Sequence, residues 1–126
     1  MLELILGLGW VALGSALGGA ARFAVSGLVA RAIGETFPWG TMAVNVTGSL
    51  ALGALAARAG AFEPALWQLA AVGFLGSYTT VSSFSLQTLA LARDGEVARA
   101  AGNVALSLGL CLGAAAAGFA LATSGG

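Results

Sequence analysis

Four long uncharged runs dominate this sequence and constrain its fold more than any other feature. Short segments that carry the charged residues separate these runs, which cover residues 4–21, 36–57, 64–92 and 100–126. A helix needs about 20 apolar residues to cross a bilayer core of about 30 Å. We therefore expect one membrane domain, residues 1–126, with spanning helices at about 4–33, 39–59, 64–92 and 96–122. The predicted fold class is an all-α integral membrane protein with four transmembrane helices.

The composition points the same way and excludes several functions. Only 8% of the residues are charged, against about 25% in soluble domains. This is too few charged side chains to cover a water-facing surface. The formal net charge is zero, which gives no reason to expect a nucleic-acid partner. The chain has no histidine, and no carboxylate lies inside a run, so proton coupling and most catalysis lack a titratable group. We predict a multi-pass protein of the cell inner (plasma) membrane, in contact with the lipid bilayer. We also predict that it is not an enzyme.

The third run contains the densest group of polar residues in the chain. Gly73 and Gly76 are followed there by a cluster of hydroxyl side chains that extends to Ser85. As one continuous helix this run would measure about 44 Å, which is longer than the bilayer core requires. We predict a break near mid-membrane, at residues 76–80. Broken helices at this depth line a cavity or bind a ligand. The alternative is a kinked, well-packed helix whose hydroxyls bond its own carbonyl groups.

Isolated polar residues in the other helices each leave two interpretations open. Thr41 and Asn45 are four residues apart and share a helical face. The Asn45 carboxamide could bond a neighbouring helix, which is the commoner case, or offer its N–H groups to an anion. Arg22 interrupts the first helix, where it either snorkels to the interface or forms the cationic mouth of an anion path.

Small residues and arginines bear on how the chain assembles. Two GxxxG pairs are present, Gly14 with Gly18 and Gly109 with Gly113. Each pair either packs within the chain or contacts a second copy. With four spans, the side that carries the termini has Arg58, whereas the other side has Arg31, Arg93 and Arg99. This bias is weak under the positive-inside rule and is typical of a chain that inserts in both orientations.

Three motifs in order along the chain resemble those of the Fluc (CrcB) fluoride channels. The first helix contains Gly-Gly-Ala-Ala-Arg-Phe at residues 18–23, and the second contains Gly-Thr-Met-Ala-Val-Asn-Val-Thr-Gly at 40–48. The third helix contains Gly-Phe-Leu-Gly-Ser-Tyr-Thr-Thr-Val-Ser-Ser-Phe-Ser at 73–85. No motif is decisive alone, but their order in a four-span chain of this size is specific. The resemblance extends over essentially the full length.

The resemblance implies a fluoride-selective channel for passive efflux, which protects against fluoride toxicity. It implies an antiparallel, dual-topology homodimer with a structural Na⁺ at its centre, held by the backbone carbonyls of Gly76 and Thr79. It also implies that Arg22 faces the vestibule. The implied fluoride pore is lined by Thr41, Asn45, Val81, Ser82, Ser83, Phe84 and Ser107.

The third motif departs from the family pattern at several positions. Val81 stands where the family has the first of two phenylalanines, and Gln87 stands where many relatives have glutamate. Valine cannot turn a positive ring edge toward an anion, so fluoride coordination at residue 81 is in question. The hydroxyl groups that follow it are retained, so conduction remains the expectation.

Two other classes of protein fit the sequence less well than a channel does. Small multidrug exporters are also dimers of four-helix chains, but they need a carboxylate within the membrane. Every acidic residue here lies at the edge of a run, which disfavours an exporter. A purely structural helix bundle would leave the polar cluster of the third run without an explanation.

Overall fold

The computed structural model describes residues 1–124, whose regular secondary structure is all helical and which contain no strand. Residues 125 and 126, the end of the predicted domain 1–126, lie outside the described residues. A short 3₁₀ turn, Ala59–Ala61, follows the second helix. In chain order the main helical segments are α1 (Leu2–Ile33), α2 (Trp39–Ala57), α3 (Pro64–Trp67), a π-helical segment (Gln68–Leu75), α4 (Gly76–Tyr78), α5 (Val81–Arg93) and α6 (Val97–Ser124).

Four of these stretches are long and apolar enough to cross a membrane. They are Leu2–Ile33, Trp39–Ala57, Pro64–Arg93 and Val97–Ser124. Pro64–Arg93, the third span, includes α3, the π-helical segment, α4 and α5. The chain is therefore a multi-pass membrane protein. The second helix ends at Ala57 rather than at the predicted residue 59, because the backbone leaves the helix at Arg58. The first helix ends at Ile33, and the next residue, Gly34, has a φ of 93°, which is favourable for glycine.

Glycines in α1 bring this helix against the third span. A Cβ atom added at Gly14 would collide with the Leu69 carbonyl oxygen, and one added at Gly18 would collide with the Phe74 carbonyl oxygen. Gly73 approaches α1 in the same way from the other side. The first GxxxG pair is therefore a packing contact within the chain, one of the two interpretations that the sequence left open.

The same kind of contact joins α2 to α6. Added Cβ atoms would strike the Ala115 carbonyl oxygen from Gly53 and the Leu50 carbonyl oxygen from Gly118. Small residues let membrane helices approach closely enough for their backbones to touch. The second GxxxG pair differs, because an added Cβ would meet no atom within 4 Å at Gly109 and Gly113.

The third span is interrupted over two residues. Thr79 and Thr80 have extended backbones, with ψ of 156° and 124° respectively. The predicted break at 76–80 was too wide on its N-terminal side, since Gly76–Tyr78 is helical. The Thr79 N–H still bonds the Leu75 carbonyl at 3.1 Å, which carries the helical hydrogen bonding up to the break.

The packed interior is small, and most large apolar side chains lie on the outside. Val44, Leu75 and Tyr78 form the buried cluster. The rings of Phe74 and Tyr78 stack beside it with their centroids 5.8 Å apart. An exposed apolar surface of this extent would cause aggregation in water, whereas lipid chains solvate it in a bilayer.

Candidate functional site

One cavity, called the first cavity, lies at the end of the bundle where α1 ends and α6 begins. Its volume is about 710 Å³, and Thr41 of α2 and Ser83 and Gln87 of α5 line it. All the charged residues of its lining lie on the connections or at the start of α6: Glu35, Asp94, Glu96 and Arg99. Two predicted pore residues, Thr41 and Ser83, therefore share a wide mouth that is bordered by charges.

The second cavity lies beside the break, has a volume of about 490 Å³ and has no charged side chain in its lining. It brings together predicted site residues from four helices, α2, α4, α5 and α6, and from the break. They are Asn45, Gly76, Thr79, Val81, Phe84 and Ser107. Leu108, Cys111 and Leu112 of α6 form an apolar wall. The cavity therefore combines a few polar groups with an otherwise apolar surface.

Two predicted site residues line neither cavity. Ser82 lies at the start of α5, where its Oγ is 3.2 Å from Thr80 Oγ1. Arg22 is half-buried on α1, and the cavity residues nearest to it in sequence are Phe23 and Ser26. The Ser26 hydroxyl donates to the Arg22 carbonyl oxygen at 2.7 Å, so this part of α1 remains regular.

The Asn45 carboxamide is bonded to the backbone of the break. Its Nδ2 donates to the Thr80 carbonyl oxygen at 2.9 Å, and its Oδ1 accepts from the Thr80 N–H at 2.7 Å. Sequence reasoning offered two roles for this amide, a bond to a neighbouring helix or a donor to an anion. The contacts observed in the structure are of the first kind.

Thr80 also organises the helix that follows it. Its Oγ1 accepts from the Ser83 N–H at 3.1 Å, which makes Thr80 the N-cap of α5. Threonine is a favoured N-cap because its hydroxyl satisfies a backbone N–H that the helix leaves free. The direction of α5, and with it the position of Ser83 and Phe84, therefore depends on how Thr80 is held.

The break leaves carbonyl groups without backbone partners. Within residues 1–124, no N–H is bonded to the carbonyl oxygens of Gly76 or Thr79. A continuous helix would pair Gly76 with the N–H of Thr80, which bonds Asn45 instead. Both residues line the second cavity, and carbonyl oxygens are ligands that suit a hard cation.

A buried polar network joins α5 to α6, and two of its members, Thr88 and Asn103, were not among the predicted site residues. Asn103 is 2% exposed, and its Nδ2 donates to Thr88 Oγ1 at 2.8 Å. Thr88 in turn donates to the Phe84 carbonyl oxygen at 2.8 Å, and Ser107 Oγ lies 3.4 Å from Asn103 Oδ1. The i, i+4 spacing of Asn103 and Ser107 was visible in the sequence, but their partner on α5 was not.

Comparison with known proteins assigns the chain to a family. The family model described as CrcB-like protein, Camphor Resistance (CrcB), matches residues 9–119. The chain belongs to the CrcB family. A fluoride-specific ion channel FluC 2 from Rhodopseudomonas palustris is 61% identical, over 97% of each chain. Another FluC 2, from Bradyrhizobium diazoefficiens, is 59% identical over 89% of this chain and 85% of its own. A FluC from Rhodospirillum rubrum is 51% identical over 82% of this chain and 84% of its own.

Membership of the CrcB family confirms two predictions made from the sequence. The resemblance carried by the three motifs was correct, since the matched residues contain all of them. The prediction that the chain is not an enzyme is also confirmed, because the relatives are named as ion channels.

Gln87 is a feature of this CrcB chain that the predicted site did not include. It lines the first cavity with Ser83, one helical turn away on α5. Its Oε1 is buried and has no hydrogen-bond partner among the described residues. A buried acceptor of this kind normally binds water or another donor. The signal in the sequence was the replacement of a glutamate common among relatives.

The electrostatics of the two cavities differ. Charges are confined to the border of the first cavity, where Arg99 and Glu96 form an ion pair at 3.8 Å with both side chains about half exposed. The second cavity has only neutral polar groups. Neutral hydroxyl and amide donors can replace part of the hydration of a small ion without holding it as tightly as a fixed charge would.

Proposed function

We propose that this CrcB protein is a fluoride-selective channel that conducts fluoride passively out of the cell across the inner membrane, and so protects against fluoride toxicity. The observation that carries the proposal is the 61% identity to a fluoride-specific ion channel over 97% of each chain. The neutral, partly polar second cavity beside a broken helix supports it, since such breaks line ion paths.

The proposed path passes from the charged mouth to the second cavity. Thr41 and Ser83 offer hydroxyls in the first cavity, and Ser107 lies beside the second. Fluoride is small and strongly hydrated, so several donors in sequence are needed to replace its water. Phe84 contributes an aromatic ring in the second cavity, and ring edges are electropositive. Arg22 remains the proposed vestibule cation.

An antiparallel, dual-topology homodimer is the proposed assembly. The second cavity is open at the surface of the single chain, and residues on its border are strongly exposed, with Val81 at 77% and Leu112 at 70%. Non-helical backbone at membrane depth needs protein around it, and a second copy would cover the break. The weak arginine bias between the two sides supports insertion in both orientations.

A structural Na⁺ at the dimer centre is part of the same proposal. The carbonyls of Gly76 and Thr79 fit it, because they lack backbone partners and oxygen ligands suit hard cations. Such a cation would supply positive charge that offsets the unfavourable transfer of anions into a medium of low dielectric constant.

Fluoride efflux from liposomes tests the proposed function. Purified protein is reconstituted into fluoride-loaded liposomes, and release is followed with a fluoride electrode. We expect rapid efflux and no matching chloride efflux. Ser83→Ala should reduce the rate, whereas Ser85→Ala, at an exposed position that lines neither cavity, should not. Efflux no faster than from protein-free liposomes would contradict the proposal, and equal chloride efflux would contradict the selectivity.

A further inference from the structure

Asn45 and Thr80 form a closed pair of hydrogen bonds between a side chain and a backbone. The two bonds, at 2.9 Å from Nδ2 and 2.7 Å to Oδ1, satisfy both the carbonyl and the N–H of the same residue. The carboxamide thus replaces the partners that a helix would have supplied. Both the amide oxygen and one of the two amide hydrogens of Asn45 are occupied in this way.

The position of this pair gives it control over the break. Without Asn45, the natural partner of the Thr80 N–H is the Gly76 carbonyl, four residues earlier, and forming that bond would extend α4 through the break. Continuation of the helix would occupy the free carbonyl of Gly76, a residue that lines the second cavity, and change the direction in which α5 begins. Asn45 therefore opposes the most direct competing structure of this segment.

The pair also lies at the boundary between the two cavities. On α2, Thr41 lines the first cavity and Asn45, one turn later, lines the second. On the third span, Ser83 lines the first cavity and Thr80 the second. An ion that moves between the cavities passes the level at which Asn45 and Thr80 are joined.

We infer that Asn45 is a positioning residue for conduction, which holds the Thr80 backbone extended and so keeps the third span broken and α5 correctly placed. This inference rests on the proposed fluoride conduction. It differs from the role that the family resemblance implies for Asn45, a pore residue that meets the ion with its own donors. The two roles make different predictions for changes to the Thr80 backbone, which alter no side chain.

A backbone substitution provides the test. Replacing the Thr80 amide by an ester, through incorporation of the corresponding α-hydroxy acid, removes the N–H that Asn45 accepts from. It also makes the Thr79 carbonyl a weaker acceptor, so the ester is compared with Asn45→Ala and with the combination of the two. We expect the Thr80 ester to lower maximal fluoride flux by about tenfold, the scale of one lost buried hydrogen bond. Asn45→Ala, which loses both bonds, should lower it at least as much. The half-saturating fluoride concentration should stay within about twofold. The combined variant should be no worse than Asn45→Ala alone, because the ester removes one of the two hydrogen bonds that Asn45→Ala already removes.

Two results would overturn the inference. If the ester conducts like the wild type, the Thr80 N–H bond has no role in conduction. If Asn45→Ala raises the half-saturating concentration while maximal flux is kept, Asn45 binds the ion itself. A Ser85→Ala variant, on the exposed side of α5, serves as the matched control for both assays.

A measurement without fluoride separates this inference from the proposed function. The amide chemical shift of Thr80, followed by NMR in detergent micelles, reports its hydrogen bond directly. We expect it to move in Asn45→Ala and to stay in Ser85→Ala. If wild-type liposomes release no fluoride but this shift behaves as expected, conduction is wrong and the backbone contact stands. An unchanged shift in Asn45→Ala would contradict the contact itself.

Discussion

The hydroxyl of Thr47 and the phenol of Tyr78 lie 2.9 Å apart, within hydrogen-bonding distance across α2 and α4. Tyr78 is the last helical residue before the break, and its ring passes close to Gly48. The Thr47 hydroxyl also bonds the Ala43 carbonyl of its own helix at 2.7 Å. The tyrosine is therefore fixed at its ring by packing and at its tip by a hydrogen bond, immediately ahead of the extended residues.

Tyr78→Phe should destabilise the protein slightly and leave conduction intact. The substitution keeps the ring, which stacks on Phe74, and removes only the hydroxyl. Interhelical hydrogen bonds in membranes contribute about 0.6 kcal/mol on average, so the expected loss of stability is of that order. Thermal unfolding in detergent measures it, with fluoride efflux measured in parallel. A loss of flux as large as that of Asn45→Ala would show that the Tyr78 hydroxyl takes part in shaping the break.

Gly18→Ala should be strongly destabilising, whereas Gly19→Ala should be tolerated. The two glycines are adjacent on α1, but a Cβ at Gly18 would collide with the Phe74 carbonyl oxygen and a Cβ at Gly19 would meet no atom within 4 Å. Overpacking of this kind costs about 1–3 kcal/mol or more, because α1 must move away from the third span. Thermal unfolding of the two variants provides the comparison. Equal stability would mean that the backbones of α1 and the third span are further apart than the structure has them.

Much of the fold could be predicted from the sequence because charge placement in a membrane chain is restrictive. The positions of Arg58, Glu63, Arg93 and Glu96 mark the ends of spans, since charged side chains are unfavourable in the bilayer core. The two GxxxG pairs are a case in which the sequence does not predict the packing. Both have the same spacing, yet Gly14 and Gly18 meet a neighbouring backbone and the other pair does not. Tertiary packing alone distinguishes them.

The residues of the candidate site could be predicted from the sequence. Which of their polar groups are already hydrogen-bonded within the protein could not. The motifs predicted Asn45, Gly76 and Thr79 as site residues, and the structure brings all three to the second cavity. The sequence could not tell that one carboxamide satisfies both backbone groups of Thr80, because that pairing joins residues 45 and 80 across two helices. For the same reason the Asn103 network, whose partner Thr88 lies on another helix, was left out.

Asn103→Leu should lower both stability and fluoride flux. The buried amide bridges α6 to Thr88 of α5, and Thr88 bonds the Phe84 carbonyl. Its removal leaves the neighbouring polar groups unsatisfied, which costs about 1–3 kcal/mol for buried groups. A loosened α5 should also displace the ring of Phe84 from the second cavity.

Thr123→Ala is the matched control for Asn103→Leu, because its hydroxyl is exposed and bonds only carbonyls of its own helix. Thermal unfolding and fluoride efflux are measured for both variants. Wild-type values from Asn103→Leu would show that the network is dispensable for both folding and conduction.

Val81→Phe should be tolerated, and Phe84→Ala should reduce flux more than Val81→Ala. Val81 is 77% exposed in the single chain and lines the second cavity together with Phe84, three residues later on the same face of α5. A larger ring has room there, and it restores the residue usual in the family. Valine offers no electropositive edge, so Phe84 supplies the remaining aromatic contact, worth about 1 kcal/mol and hence about a fivefold effect on flux. Efflux assays at several fluoride concentrations measure the series.

If both alanine variants conduct like the wild type, neither side chain touches the ion. If Val81→Phe prevents folding, the start of α5 is packed more tightly in the assembled protein than the proposed pore allows.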